Sequence, residues 1–104
     1  MSNMEVIRLT TFDNETVQQV DSLLHMLSPK SQPVESTRLQ SLIEDDRLHL
    51  FICRGDNAGI IGMLTLTCCP TLARDKYWIE DVIVDEAFRG QGAGRALLRA
   101  AVEY

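Results

Sequence analysis

The segment that most constrains this 104-residue chain is an apolar strand that runs through a glycine-rich turn into an amphipathic helix. The strand ends in Val82-Ile83-Val84, the turn contains Gly90, Gly92 and Gly94, and the helix follows at once. Such a connection points several backbone N–H groups and the positive end of a helix dipole at one place. The segment therefore predicts a site that binds phosphate.

Other glycine-rich phosphate loops fit this turn less well. A P-loop requires a lysine directly after its last glycine, and no lysine follows the glycines here. A dinucleotide fingerprint that starts at Gly90 requires Gly or Ala where the chain has Arg95, and one that starts at Gly92 requires it at Leu97. The simplest alternative is an ordinary strand–turn–helix connection, but three glycines in five residues exceed what tight turning requires.

The spacing Arg-x-x-Gly-x-Gly after a Val-x-Val-type strand resembles the acetyl-CoA-binding signature of the GNAT superfamily of N-acetyltransferases. The resemblance implies that acetyl-CoA is the cosubstrate. It implies that the backbone of Val82, Ile83 and Val84 pairs with the pantetheine arm and faces the acetyl carbonyl. It also implies that the turn holds the pyrophosphate, through Arg89, Gly90, Gln91, Gly92, Ala93, Gly94 and Arg95.

Direct acetyl transfer to an amine requires a base, an N–H group near the thioester carbonyl and no covalent intermediate. The resemblance makes Glu80 the candidate base, because many family members carry a glutamate at this place. Alternation along the strand puts Glu80 on the side of Val82 and Val84, and Asp81 on the other side. A substrate-binding or structural carboxylate is the alternative role for Glu80.

The order of predicted elements is β–α–α–β–β–β–α, an α/β (α+β) chain with a mostly antiparallel sheet flanked by helices. The predicted strands are 5–10, 48–54, 60–67 and 77–84, and the predicted helices are 34–45, one after Asp13 or Asn14, and one from Gly92 or Ala93 onward. Residues 55–59 are a predicted turn and residues 68–76 a predicted loop.

Helical spacing predicts which side chains face the core. The predicted inward residues are Val17, Val20, Leu24, Leu27, Leu39, Leu42, Ile43, Leu97, Leu98, Ala101 and Val102. The element order resembles the first two-thirds of the acetyltransferase fold, whose members usually continue with further strands and a helix. We therefore expect residues 1–104 to form one truncated N-acetyltransferase domain whose C-terminal part is missing.

The composition limits which partners the chain can bind and where it is located. A net charge of −5 argues against a general nucleic-acid binder and suits an amine substrate only weakly. No apolar run approaches the roughly 20 residues that span a bilayer, and a signal peptide is not evident, so a cytoplasmic location is the default. Cys53, Cys68 and Cys69 lack the spacing of a metal site, and His25 and His49 are expected at the surface or hydrogen-bonded.

These features predict an enzyme that transfers an acetyl group from acetyl-CoA to a primary amine of a small molecule or peptide. The alternative is a non-catalytic module that binds coenzyme A or serves as an interaction half-domain. Strand 77–84 has an edge that nothing in the chain obviously pairs, which leaves a homodimer open.

Overall fold

The structure, a computed structural model, describes residues 4–55 and 59–104. Its elements are β1 (Met4–Arg8), α1 (Asn14–Leu27), α2 (Ser36–Ile43), β2 (Leu48–Gly55), β3 (Gly59–Pro70), β4 (Asp75–Val84) and α3 (Ala93–Glu103). The strands form one antiparallel sheet in the order β1-β2-β3-β4, which confirms the predicted fold class and element order. Within the described residues, no strand pairs with the outer edge of β4.

Helix α1 begins directly after Asp13, whose backbone is extended and whose side chain caps the helix. The Asp13 carboxylate accepts hydrogen bonds from the Thr16 backbone N–H at 2.9 Å and from the Thr16 hydroxyl at 2.8 Å. These bonds stabilise the charged form and lower the pKa of Asp13 below its usual 3.8. Of the two predicted caps, Asp13 or Asn14, the structure selects Asp13.

The sheet separates two apolar clusters. Helices α1 and α2 cover one face, where Leu39 and Ile52 are almost completely buried. Helix α3 covers the other face, where Leu64, Leu97 and Cys53 are equally buried. Burial raises the pKa of the Cys53 thiol, as expected for a small buried hydrophobe. None of the described helices is long and apolar enough to cross a membrane.

The hairpin between β3 and β4 is longer than predicted. Pro70 at the end of β3 pairs with Asp75 at the start of β4, so only residues 71–74 form the connection. Hydrogen bonds between Thr71 and Arg74 close this turn, including 3.0 Å from the Thr71 N–H to the Arg74 carbonyl. The predicted loop over 68–76 is therefore wrong, because a proline is tolerated at the end of a strand near a sheet edge.

Other boundaries shift by a few residues. β1 ends at Arg8 rather than at residue 10, and α2 spans 36–43 rather than 34–45. The Val34 N–H donates to the Asp21 carboxylate on α1 at 2.8 Å. Val34 is therefore held against α1 and lies before the start of α2. Of the turn predicted at 55–59, residues 56–58 lie outside the described residues.

The predicted core faces of the helices need correction. On α3 the buried residues are Ala93, Leu97 and Ala101, whereas Leu98 and Val102 are exposed. Positions four apart form one stripe, and the next residue along lies about 100° around the helix. On α1 the structure buries Leu23, which the spacing missed, and exposes Leu27, which it predicted to be inward.

Candidate functional site

A β-bulge interrupts β4 directly beside the predicted site. Thr65 of β3 pairs with Glu80 and Met63 pairs with Ile83, so one residue of β3 lies opposite both Asp81 and Val82. Asp81 has a φ of +53°, in the left-handed region that few non-glycine residues adopt. Strand pairing resumes after the bulge, where the Asp85 N–H donates to the Ile61 carbonyl at 2.8 Å.

The bulge changes the direction of the Glu80 side chain. Paired residues share a face of the sheet, so Glu80 lies on the face of Ile83, the one that α1 and α2 cover. Val84 pairs with Gly62 and lies on the opposite face. The predicted alternation, which placed Glu80 on the side of Val84, is therefore wrong, because the extra residue shifts the period by one.

The glycine-rich turn has the backbone conformation that its sequence indicates. Gly90 and Gly92 have φ values of +85° and +92°, and α3 begins at Ala93 directly after them. The first hydrogen bond into the helix runs from the Ala96 N–H to the Gly92 carbonyl at 3.0 Å. Across the described residues, no backbone N–H from Gly90 to Arg95 donates to a protein acceptor.

These free N–H groups lie at one corner of the molecule, in front of the α3 N-terminus. A Cβ at Gly90 would meet no atom within 4 Å, so the front of the turn is open. A Cβ at Gly94 would lie 3.7 Å from the Val84 side chain, so the helix start packs against the end of β4. Strand end and turn thus form one continuous surface with unpaired donors, a suitable surface for an anion.

The two arginines of the turn behave differently. The Arg89 Nε–H donates to the Val84 carbonyl at 3.3 Å, which fixes the guanidinium next to β4. Arg95 lies on the exposed side of α3 and lines a shallow groove with Gly92 and Arg99. Both are positioned near the free N–H groups, Arg89 on the strand side and Arg95 on the helix side.

An open cleft of about 390 Å³ runs along the end of β4. It is lined by Met26, Leu27, Val82, Ile83, Val84 and Arg89. The structure thus brings four of the predicted cofactor residues together in one cleft. Glu80 does not line it and is exposed on the other side of the bulge.

A larger cleft of about 910 Å³ lies between α2 and the start of β2, and none of the predicted site residues lines it. Its acidic wall is Glu44, Asp45 and Asp46. Hydrogen bonds from the Arg47 side chain and backbone lower the pKa of Asp45 to about 2. This ion pair is consistent with a solvated helix end.

The two histidines lie outside the candidate site. His25 Nδ1 lies 2.8 Å from the Asp21 carbonyl oxygen, as expected for a hydrogen-bonded residue. His49 is buried against the ring of Tyr104, and its Nδ1 has no hydrogen-bond partner among residues 4–55 and 59–104. The sequence predicted that His49 is exposed or hydrogen-bonded. This prediction is wrong, because the ring is buried and its Nδ1 has no hydrogen-bond partner within the described residues.

Two structural features of the site were not predicted from the sequence. The bulge at Asp81 depends on pairing with β3, and its only local signal is that aspartate tolerates the left-handed conformation. Gly62 lets α3 approach the sheet, because a Cβ there would lie 3.1 Å from the Ile83 carbonyl oxygen and 3.2 Å from Leu97.

Comparison with known proteins decides the family. The sequence model of the acetyltransferase (GNAT) family matches residues 17–104. This chain belongs to the GNAT acetyltransferase family. Curated protein sequences give no significant match to it.

Solved structures of acetyltransferases share the fold of this GNAT domain. An aminoglycoside acetyltransferase from an uncultured soil metagenomic sample superimposes with a TM-score of 0.81 and 25% identity, over 96% of this chain and 68% of that one. A putative acetyltransferase from Agrobacterium tumefaciens gives 0.76 and 24% identity, over 95% and 71%. Glucosamine-6-phosphate N-acetyltransferase from Arabidopsis thaliana gives 0.79 and 16% identity, over 97% and 73%, a likeness of fold alone.

Proposed function

We propose that this GNAT domain transfers an acetyl group directly from acetyl-CoA to a primary amine of a small molecule or peptide. The observation that carries the proposal is the row of free backbone N–H groups from Gly90 to Arg95, continuous with the end of β4. An anion with several oxygens satisfies such donors, and the positive end of α3 adds to the attraction. The pyrophosphate of acetyl-CoA has this chemistry.

The remaining cofactor contacts follow from the order of residues along this surface. The segment Val82-Ile83-Val84 supplies backbone groups for the amides of the pantetheine arm. Gly90 and Gly92 allow close approach of the pyrophosphate, because neither has a Cβ. Arg89 and Arg95 add positive charge on the two sides of the turn. Gln91, Ala93 and Gly94 contribute backbone N–H groups that donate to no backbone acceptor within residues 4–55 and 59–104.

Glu80 is the proposed general base. Its carboxylate is exposed on the face of the sheet that α1 and α2 cover, directly before the distorted segment of β4. An exposed carboxylate accepts a proton from the incoming amine directly or through one water molecule. Met26 and Leu27 of α1 line the cleft along Val82–Val84, so the cleft and this carboxylate both lie beside the face of the sheet that α1 covers.

The proposed acceptor is a small amine. Two of the structural neighbours are named for aminoglycoside and glucosamine-6-phosphate acetylation, and these acceptors are small amines. The net charge of −5 favours association with a cationic amine over an anionic one. A non-catalytic role in coenzyme A binding is the second candidate, supported by the same N–H groups, and it differs only in the absence of turnover.

The cofactor assignment is tested at Gly92. Because its φ is +92°, any side chain strains the backbone there, so the informative comparison is between Gly92→Asp and Gly92→Asn. The two variants carry side chains of similar size and differ in charge. We expect Gly92→Asp to abolish acetyl-CoA binding in calorimetry, and Gly92→Asn to retain measurable binding. Equal affinity of both variants and the wild type, with folding intact, would refute the assignment.

A further inference from the structure

Two apolar side chains at the C-terminal end of α1 are exposed beside the candidate cofactor segment. Met26 is 43% exposed and Leu27 is 52% exposed. Both line the cleft of about 390 Å³ along Val82, Ile83 and Val84, and Arg89 lies on its wall. The cleft has the charged Arg89 side chain on its wall and apolar side chains along its length. Such a cleft suits a long ligand that is largely uncharged.

The packing of α1 holds these side chains in place. The Gln19 side-chain oxygen accepts the Ile60 N–H at 3.1 Å, which fixes the helix to β3. One turn later, Leu23 is buried in the sheet face. The helix is closed by the Ser28 N–H, which donates to the Leu24 carbonyl at 2.8 Å. The last turn therefore projects over the end of β4 in a defined position.

Resting on the function proposed above, we propose that Met26 and Leu27 form the apolar wall of the pantetheine groove. The pantetheine arm alternates amide groups with methylene and methyl groups. The backbone of Val82–Val84 serves the amides, and the α1 wall covers the methylene and methyl groups. Contact with the arm removes exposed apolar surface of the two side chains from water, which favours binding.

The inference predicts a selective loss of affinity. Replacing both residues with glutamine, as Met26→Gln with Leu27→Gln, keeps side-chain length and helix propensity but removes the apolar wall. We expect coenzyme A to bind about 10-fold more weakly to this double variant in calorimetry. ADP carries the pyrophosphate without the arm, so its affinity is expected to stay unchanged.

The matched control is Leu72→Gln. Leu72 is a fully exposed leucine in the turn between β3 and β4, and its replacement should change neither affinity. A denaturant melt of each variant checks that the fold is retained. Unchanged binding of coenzyme A by the double variant would overturn the inference, and so would an equal loss for coenzyme A and ADP. Wild-type protein that binds neither probe would overturn both this inference and the proposed function.

Discussion

At the residue scale, the conformation of Asp81 shapes the candidate site. Its φ of +53° costs of order 1–3 kcal/mol for a residue with a side chain. Strand pairs on both sides, Thr65 with Glu80 and Met63 with Ile83, hold the distortion in place. The consequence is that Glu80 and Val84 lie on opposite faces of one strand, and Glu80 shares with Ile83 the face that α1 and α2 cover.

The role of Glu80 is testable by an isosteric change. If Glu80 is the general base, Glu80→Gln should lower kcat by about 10²- to 10⁴-fold and leave the affinity for acetyl-CoA nearly unchanged. Asp75→Asn, at the exposed start of the same strand, is the control and should retain full turnover. Thiol release from acetyl-CoA against a panel of amines measures both. Full turnover of Glu80→Gln across the pH range would remove Glu80 from the mechanism.

The burial of His49 predicts how the free energy of unfolding depends on pH. Burial, and second the positive charge of Arg8, lower the pKa of His49 below its usual 6.5, while Asp46 acts in the opposite direction. The unfolded chain therefore binds a proton that the folded chain excludes, in the window below 6.5. We expect the free energy of unfolding to fall as the pH is lowered from about 7 to about 5, within the range where histidine titrates.

The control for this effect is His49→Phe, which keeps an aromatic ring beside Tyr104 and removes the titration. Urea melts of the two proteins at neutral and mildly acidic pH give the two slopes. The variant should show the weaker pH dependence, since the other titrating groups, His25 among them, are common to both. Equal slopes would mean that His49 is not protonated differently in the folded and unfolded states.

At the scale of elements, α3 rests on a narrow stripe. Leu97 is fully buried against the sheet, whereas Leu98 is exposed, although helical spacing predicted both as core. Leu97→Ala should cost about 2–5 kcal/mol of unfolding free energy, because it leaves a cavity under the helix. Leu98→Ala should cost less than about 1 kcal/mol. Denaturant melts of the two variants distinguish them, and similar losses would contradict the burial pattern.

The start of α3 depends on this packing as well. A Cβ at Gly94 would lie 3.7 Å from Val84, and the absence of a Cβ at Gly62 admits Leu97. Packing on the sheet therefore positions the start of α3 and, with it, the free N–H groups of the turn. A loss of packing at Leu97 is therefore expected to weaken cofactor binding indirectly, with reduced stability as its signature. A change at Gly92 also strains the backbone, because its φ is +92°, so its effect on binding is read from the difference between Gly92→Asp and Gly92→Asn.

At the scale of the whole molecule, the outer edge of β4 combines unpaired backbone groups with exposed apolar side chains. Residues 75–82 are exposed along their whole length, and Tyr77 and Trp78 are 60% and 56% exposed. A strand with free backbone groups and aromatic side chains invites pairing with another chain. We predict that a protein of residues 1–104 self-associates through this edge, with a homodimer as the simplest product.

Light scattering on the purified chain tests this prediction. Trp78→Lys places a charge in the middle of the edge and should shift the protein toward the monomer. Leu72→Lys adds the same charge at an exposed turn outside the strand and should leave association unchanged. A wild-type protein that is a monodisperse monomer, unfolds cooperatively and transfers acetyl groups would contradict the prediction.

Patterns among neighbouring residues predicted the order of the elements and the position of the glycine-rich turn. Glycines at 90 and 92 permit the positive φ of the turn, and Asp13 or Asn14 marked the start of α1. The spacing of apolar residues predicted the element order. Each of these signals depends on neighbours in sequence. Signature spacing indicated the family, which the match over residues 17–104 confirmed. The roles of Glu80 and of the turn in binding remain predictions.

Only the tertiary structure decided which way the side chains of the site point. The bulge at Asp81 arises from pairing β4 with β3, so alternation in the sequence alone put Glu80 on the wrong side relative to Val84. Burial of Leu97 rather than Leu98, and the placement of Met26 beside Val82, depend likewise on elements distant in the chain. Periodicity shows that an element has an apolar side, but contacts between elements fix its rotation and register.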